Sequence, residues 1–163
     1  MAAASSFDIV SDFDLQELRN AIGQAMREIT TRYDLKDSNT EIALEKDQLV
    51  ISTADEFILG SVTDILDTRV IRRGLSLKIL DYQKVEDASG SRVRQVVKLR
   101  RGIPETLAKQ LVKEIRTENK KVTPQIQGDA IRVTAKNKDD LQAVIQLLKA
   151  KELDVALQFI NYR

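Results

Sequence analysis

Apolar residues recur three and four positions apart in four stretches of the chain, and alternate with polar residues in most of what lies between. The first stretch puts Leu15, Leu18, Ile22, Ala25, Met26 and Ile29 on one helical stripe, with Asp14 and Glu17 spaced as a capping pair. The second, with Ile58, Val62, Ile65 and Leu66, starts behind Thr53 and Glu56 and stops at Gly74. The third has Leu107, Leu111 and Ile115 behind Pro104, whose missing N–H suits a first helical turn. The fourth has Leu141, Val144, Ile145 and Leu148 behind Asn137 and Asp140, a cap-like start. Period-2 alternation predicts two hairpins. Ile42 and Leu44, then Leu49 and Ile51, flank Lys46-Asp47; Ile126, then Ile131 and Val133, flank Gly128-Asp129, where a leading glycine suits a type II′ turn.

The pattern repeats. An offset of 82 brings Leu44 onto Ile126, Asp47 onto Asp129, Leu49 onto Ile131 and Ile51 onto Val133, and an offset of 80 brings Leu77–Tyr82 onto Leu157–Tyr162. With Phe7 to Ser11 and Arg92 to Arg100 as opening strands, each half reads strand, helix, strand, strand, helix, strand. That order predicts an α+β fold of two tandem ferredoxin-like (βαββαβ) domains, 1–88 and 89–163, joined by the polar linker Gln83 to Ser91. Each would carry a four-stranded antiparallel sheet with both helices on one face and the other face open.

Composition removes chemistry from consideration. The 163 residues are 42% hydrophobic and 31% charged, ordinary for a chain that buries a core, and include no cysteine and no histidine. Ser-His-Asp and Cys-His nucleophiles, cysteine and histidine zinc sites, haem and disulfides are thereby excluded. The six glycines form neither a dinucleotide fingerprint nor a phosphate-binding loop followed by Lys-Ser/Thr. No catalytic residue, resident metal or cofactor is expected, and with no signal-like start and no run of about 18 apolar residues the protein is expected to be soluble and cytoplasmic, with no membrane partner. Of the paired carboxylates, Asp12 and Asp14, Asp55 and Glu56, and Asp139 and Asp140 sit at helix starts, where capping explains them. Asp34 and Asp37 do not, and leave a magnesium-dependent phosphodiesterase as a third alternative.

The net charge of +1 divides unevenly. Residues 1–88 hold ten Lys/Arg against seventeen Asp/Glu, a net of −7, whereas residues 89–163 hold sixteen against eight, a net of +8. Such asymmetry suggests an anionic ligand on the basic side, or attraction between the halves. On the strand Arg92 to Arg100, Val93, Val97 and Leu99 alternate with Arg92, Arg94, Lys98 and Arg100, which places four cations on the open face. Arg132, Thr134 and Lys136 alternate in the same way with Ile131, Val133 and Ala135, as Gln125 and Gln127 do with Ile126. Cations of this kind bind phosphate, and Tyr82 and Tyr162, at strand ends, serve either as stacking surfaces for bases or as rim tyrosines that pack without any ligand. Pairing of the arginine strand with Glu41 and Glu45 on neighbouring strands is the structural alternative.

Ser6-Phe7-Asp8-Ile9-Val10-Ser11, the run from Arg27 to Asp34, Arg94-Gln95-Val96-Val97-Lys98-Leu99, Gln125 to Asp129, Lys138 to Ile145 and the closing Leu157 to Arg163 resemble the YajQ family of bacterial proteins. The resemblance spans essentially the whole chain. It implies two ferredoxin-like domains that exchange their first strands (6–12 and 91–100), and binding of a guanine nucleotide, cyclic di-GMP or RNA without a known reaction, in some members as partner of a transcription regulator. It also brings in Arg32, as guanine or phosphate partner, and Tyr33, as stacker. Leu35 and Asp37 depart from the family's usual phenylalanine and glycine. If the strand Arg92 to Arg100 joins the first, acidic sheet, the basic surface is split. The expected function is non-enzymatic binding of a guanine nucleotide, or of RNA, on the basic sheet surfaces. The alternative is a protein-interaction module acting on a transcription regulator, with nucleotide merely biasing the association.

Overall fold

The four apolar stripes form helices and the alternating segments form strands in a computed structural model that describes residues 4–163. The strands are β1 (Ser5–Val10), β2 (Glu41–Glu45), β3 (Gln48–Thr53), β4 (Leu80–Tyr82), β5 (Glu86–Ala88), β6 (Arg92–Leu99), β7 (Val122–Gln127), β8 (Ala130–Ala135) and β9 (Gln158–Ile160). The helices are α1 (Leu15–Thr31), α2 (Glu56–Arg72), α3 (Glu105–Glu118) and α4 (Lys138–Lys149). Their starts follow the chemistry of unpaired N–H groups: Asp14 accepts from the backbone of Gln16 and Glu17, and Asn137 from that of Asp139. The cap of α2 is Asp55, which accepts from Ile58 N, rather than the earlier Thr53. The same helix ends where Gly74 takes a positive φ of 81°, so that Gly74 N and Leu75 N bond back to Ile71 O and Val70 O.

All strand pairs are antiparallel, and with four helices the fold is α+β, compatible with ferredoxin-like repeats. One sheet runs β2-β3-β6-β4, with β5 also paired to β6; the other runs β7-β8-β1-β9. Both hairpins have two-residue turns, since Glu45 pairs with Gln48 and Gln127 with Ala130. The chain divides into two compact units, Phe13–Arg100 and the described residues up to Asp12 together with Arg101–Arg163. The segment 83–91, expected as a linker, contributes β5 and a turn through Gly90 to the first of these.

Each unit has its own core. In the Phe13–Arg100 unit, Leu18, Ala25 and Ile29 of α1 and Leu59, Val62 and Leu66 of α2 cover Leu49, Ile51, Val93 and Val97 of the sheet. In the other, Leu111 and Ile115 of α3 and Leu141, Val144 and Leu148 of α4 cover Phe7, Ile9, Ile131 and Val133. In the central strands of each sheet the helices therefore cover alternate residues, and the intervening ones form an open face.

Candidate functional site

Strand β6 lies between β3 and β4, so the expected row of four cations stands in the same sheet as the acidic strands. The packing separates their fates. Arg92 turns to the loop ahead of β2, donating to Ser38 O at 3.0 Å, Asn39 O at 2.6 Å and Ser52 Oγ at 3.2 Å. Arg94 pairs with Glu86 at 3.4 Å, and Arg100 pairs with Asp81 at 3.3 Å. Arg94 and Arg100 are thus paired with acids of β5 and β4, not with Glu41 and Glu45, the alternative weighed from the sequence, and Arg92 is held by neutral oxygens. Lys98 alone of the four is exposed without an ion-pair partner among the described residues.

This placement also dissolves the charge asymmetry. The unit Phe13–Arg100 gains Arg92, Arg94 and Lys98 of β6 and the following Arg100, gives up Asp8 and Asp12, and carries fourteen Lys/Arg against fifteen Asp/Glu, a net of −1. The other carries twelve against ten, a net of +2. The halves of the sequence differ by 15 charges and the units by 3, because the division at 88/89 assigns Arg92, Arg94, Lys98 and Arg100 to the half in which their strand does not pair and leaves Asp8 and Asp12 in the other.

Arg132 and Lys136 belong to the second sheet and its edge. Arg132 holds Asp8 with two bonds, Nε to Oδ1 at 2.9 Å and Nη2 to Oδ2 at 3.4 Å, while Asn161 donates to the same carboxylate at 2.8 Å. The Arg132 bond keeps the Asp8 carboxyl below the usual carboxylate range against the opposing cost of burial. Asn161 can reach it because it takes a left-handed φ of 57°, a conformation asparagine tolerates. Lys136 lines a cleft of about 570 Å³ with Lys121, Thr123 and Thr134.

The two strand-end tyrosines differ. The Tyr82 ring packs against the core and its hydroxyl donates to Asp67 Oδ1 at 2.6 Å. Burial and that carboxylate push its pKa far upward, and burial likewise raises that of Asp67. The Tyr162 ring stacks on Phe7, with centroids 5.9 Å apart and planes 26° apart, and is 58% exposed.

The two residues suggested by resemblance alone, Arg32 and Tyr33, lie at the end of α1 and in the loop that follows it. After α1 the chain makes a tight turn in which Leu35 N and Lys36 N both bond to Arg32 O. Leu35 enters the core, and Ser38 Oγ, Thr40 Oγ1 and Thr53 Oγ1 form a buried chain of hydroxyls with contacts of 2.6 and 2.8 Å. With the Arg92 bonds to Ser38 and Asn39, the loop is braced from beneath. Its outer surface displays the Tyr33 ring, 89% exposed, with Lys36 Nζ 5.4 Å from the ring centroid. Arg32 forms a fork on Asp34 at 2.9 and 2.8 Å and lies 3.7 Å from Glu28, which raises its pKa and lowers that of Asp34. Asp37 is exposed and without an ion-pair partner among the described residues. Lys36 was missed in the sequence; its signal is a cation one turn after an aromatic.

No group of three or more carboxylates is placed to hold a metal ion among the described residues, and no helix there is long and apolar enough to cross a membrane. The fold and the loop define a two-unit α+β protein that presents an exposed aromatic ring, with a cation over it, on a hydrogen-bonded loop. The model of the family described as nucleotide-binding protein YajQ-like matches residues 5–163, and the chain belongs to that family. It is 61% identical over 163 residues to a nucleotide-binding protein of Synechococcus sp. (strain JA-3-3Ab), covering all of both chains. A nucleotide-binding protein of Trichodesmium erythraeum (strain IMS101) is 59% identical over 163 residues, again over the full length of both.

Proposed function

We propose that the chain binds a guanine nucleotide, without transforming it, on the loop Arg32 to Thr40 of the unit Phe13–Arg100, and does so in the cytoplasm. The observation that carries this is the Tyr33 ring, 89% exposed on a loop whose underside is buried and hydrogen-bonded. A base stacks on such a ring for about 1–3 kcal/mol. Lys36, whose Nζ lies over one face of the ring, meets a phosphate while the base takes the other face. Asp37 offers two carboxylate oxygens to guanine's adjacent N1–H and N2–H donors, a pairing adenine cannot make. Of the cations on β6, Lys98 is the one left to attract a longer anion such as RNA, since Arg94, Arg100 and Arg132, expected to serve the phosphates, are engaged in ion pairs. The pairing of β1 with β8 and β9, and of β6 with β3 and β4, supports reading the units as duplicated ferredoxin-like domains with traded first strands.

Calorimetric titration of GTP and of cyclic di-GMP into the full chain tests the site. Tyr33→Ala should weaken binding tenfold or more, and Asp37→Asn should narrow the preference for guanine over adenine nucleotides. Equal binding by wild type and Tyr33→Ala refutes the site; appearance of a hydrolysis product on incubation with magnesium refutes the absence of catalysis. Phe57, 87% exposed in the first turn of α2, favours a second reading in which a protein partner docks on this unit. Retention of such a partner by Tyr33→Ala would separate the two.

A further inference from the structure

The unit containing Arg101–Arg163 has a feature that the nucleotide reading does not use. Between α3 and β7 lies a groove of about 820 Å³, walled by Lys109, Lys113, Arg116 and Lys120. Three of these recur at i, i+4 and i+7 on one helix face, spanning about 10 Å, and Lys120 continues the row past the helix end. Lys109 pairs with Glu105; Lys113 and Lys120 have no ion-pair partner among the described residues. The groove's floor is apolar: Val112, Pro124 and Ile126, the last 37% exposed.

Three classes of extended anion would be drawn to such a row, and the geometry distinguishes them. β7 is an edge strand, the usual place for an incoming peptide strand to pair. Here the edge is blunted, because Pro124 has no N–H and Arg116 Nη2 donates to its carbonyl at 3.4 Å. Single-stranded nucleic acid needs rings on which to stack, and no aromatic residue lines the groove. A phosphate backbone would also gain nothing from covering Ile126. An acidic amphipathic helix uses everything present, its carboxylates matching the cation row at the same helical spacing and its apolar edge burying Ile126 over Pro124 and Val112.

The geometry points to the α3–β7 groove as a docking site for an acidic amphipathic helix of another protein, independent of the nucleotide loop. The contact is small and charge-led, so the complex is transient and salt-sensitive. The test uses the full chain and a synthetic helical peptide with glutamates at i, i+4, i+7 and i+11 and leucines on the adjoining edge, read by fluorescence anisotropy. K113E/K120E should weaken binding at least tenfold, a peptide with lysines in place of the glutamates should restore it, and Ile126→Asn should weaken it severalfold. A same-composition peptide with scrambled glutamate spacing that binds equally well overturns the proposal. So does a short single-stranded RNA that binds more tightly than the peptide and is lost in K113E/K120E. Sedimentation showing the chain self-associating through this face, with K113E/K120E monomeric, would assign the groove to a second copy and overturn it as well.

Discussion

At the centre of its open sheet face, the unit Phe13–Arg100 has two valines where the other unit has an ion pair. The offset of 82 that aligns the two hairpins places Val50 on Arg132; Val50 lies opposite Val96, and Arg132 lies opposite Asp8. Around the valines stand charged residues, Arg94 with Glu86 and Arg100 with Asp81. Around the ion pair stand uncharged polar groups, among them Thr123, Gln125, Thr134 and Ser6. One pattern of strands thus supports opposite arrangements of charge. In neither does the number of arginines in the sequence equal the number available to a ligand, because each face satisfies its own cations first.

Transplanting the apolar centre gives the largest expected effect. Asp8→Val alone strands Arg132 and Asn161 without their acceptor and should cost about 2–3 kcal/mol in urea unfolding. Adding Arg132→Val should recover most of that, since an apolar pair of this kind already serves at Val50 and Val96. A double variant no more stable than the single one would break the equivalence of the two centres. Acid provides a second reading of the same pair. Because Asp8 titrates below its ordinary value, its contribution is complete above the unfolded pKa near 4 and is lost as the pH falls through the folded one. Asp8→Asn should abolish that part of the acid sensitivity of the urea midpoint.

The strand-end tyrosines test the comparison at a second aligned position, since Tyr82 and Tyr162 are related by the offset of 80. Tyr82→Phe removes the donor from the Asp67 carboxylate and should cost about 1–2 kcal/mol at neutral pH. Asp67 titrates above its ordinary value, so the stability gained by its protonation is complete below the unfolded pKa and disappears as the pH rises through the folded one. The cost of Tyr82→Phe should therefore shrink on acidification. Tyr162→Phe keeps the stacking on Phe7 and should stay within about 0.5 kcal/mol of wild type at any pH. Equal costs for the two would show that the unequal environments of these rings carry no energetic difference.

Local patterns were legible in the sequence because they depend on neighbours along the chain. Asp14 and Asn137 cap, Gly74 terminates and both hairpins turn where the residue types require. What stayed hidden depends on which strand lies beside which. The pattern that marks Arg92 to Arg100 as a strand is silent on whether Asp81 or Glu41 will face it, and assigning β6 and β1 by chain position produced a charge asymmetry that their pairing largely removes. β5 was hidden for a related reason: Glu86-Asp87-Ala88 has no strand pattern of its own and is held by β6. Tyr33 came from resemblance alone, and no periodicity could announce that a tyrosine is left bare by a loop whose bracing lies in Thr53 and Arg92, distant along the chain.

The smallest expected effect bears on the charged rim. Arg94 and Glu86 are both well exposed and 3.4 Å apart, so solvent and salt screen their attraction. Glu86→Gln should change stability by less than about 0.5 kcal/mol, whereas Asp8→Asn, at the part-buried pair of the other unit, should change it severalfold more. Glu86→Gln nevertheless alters what the face offers an anion: Arg94 is released on the same face of the strand as Lys98, about 13 Å along it. If the ion pairs are what withholds this face from RNA, a short single-stranded RNA should bind Glu86→Gln measurably more tightly than wild type at 50 mM salt, with the gain gone at 200 mM. An unchanged affinity at both salt concentrations would mean that sheet geometry rather than charge pairing closes the face, and would leave the bare ring of Tyr33 as the feature of this unit that a nucleotide can use.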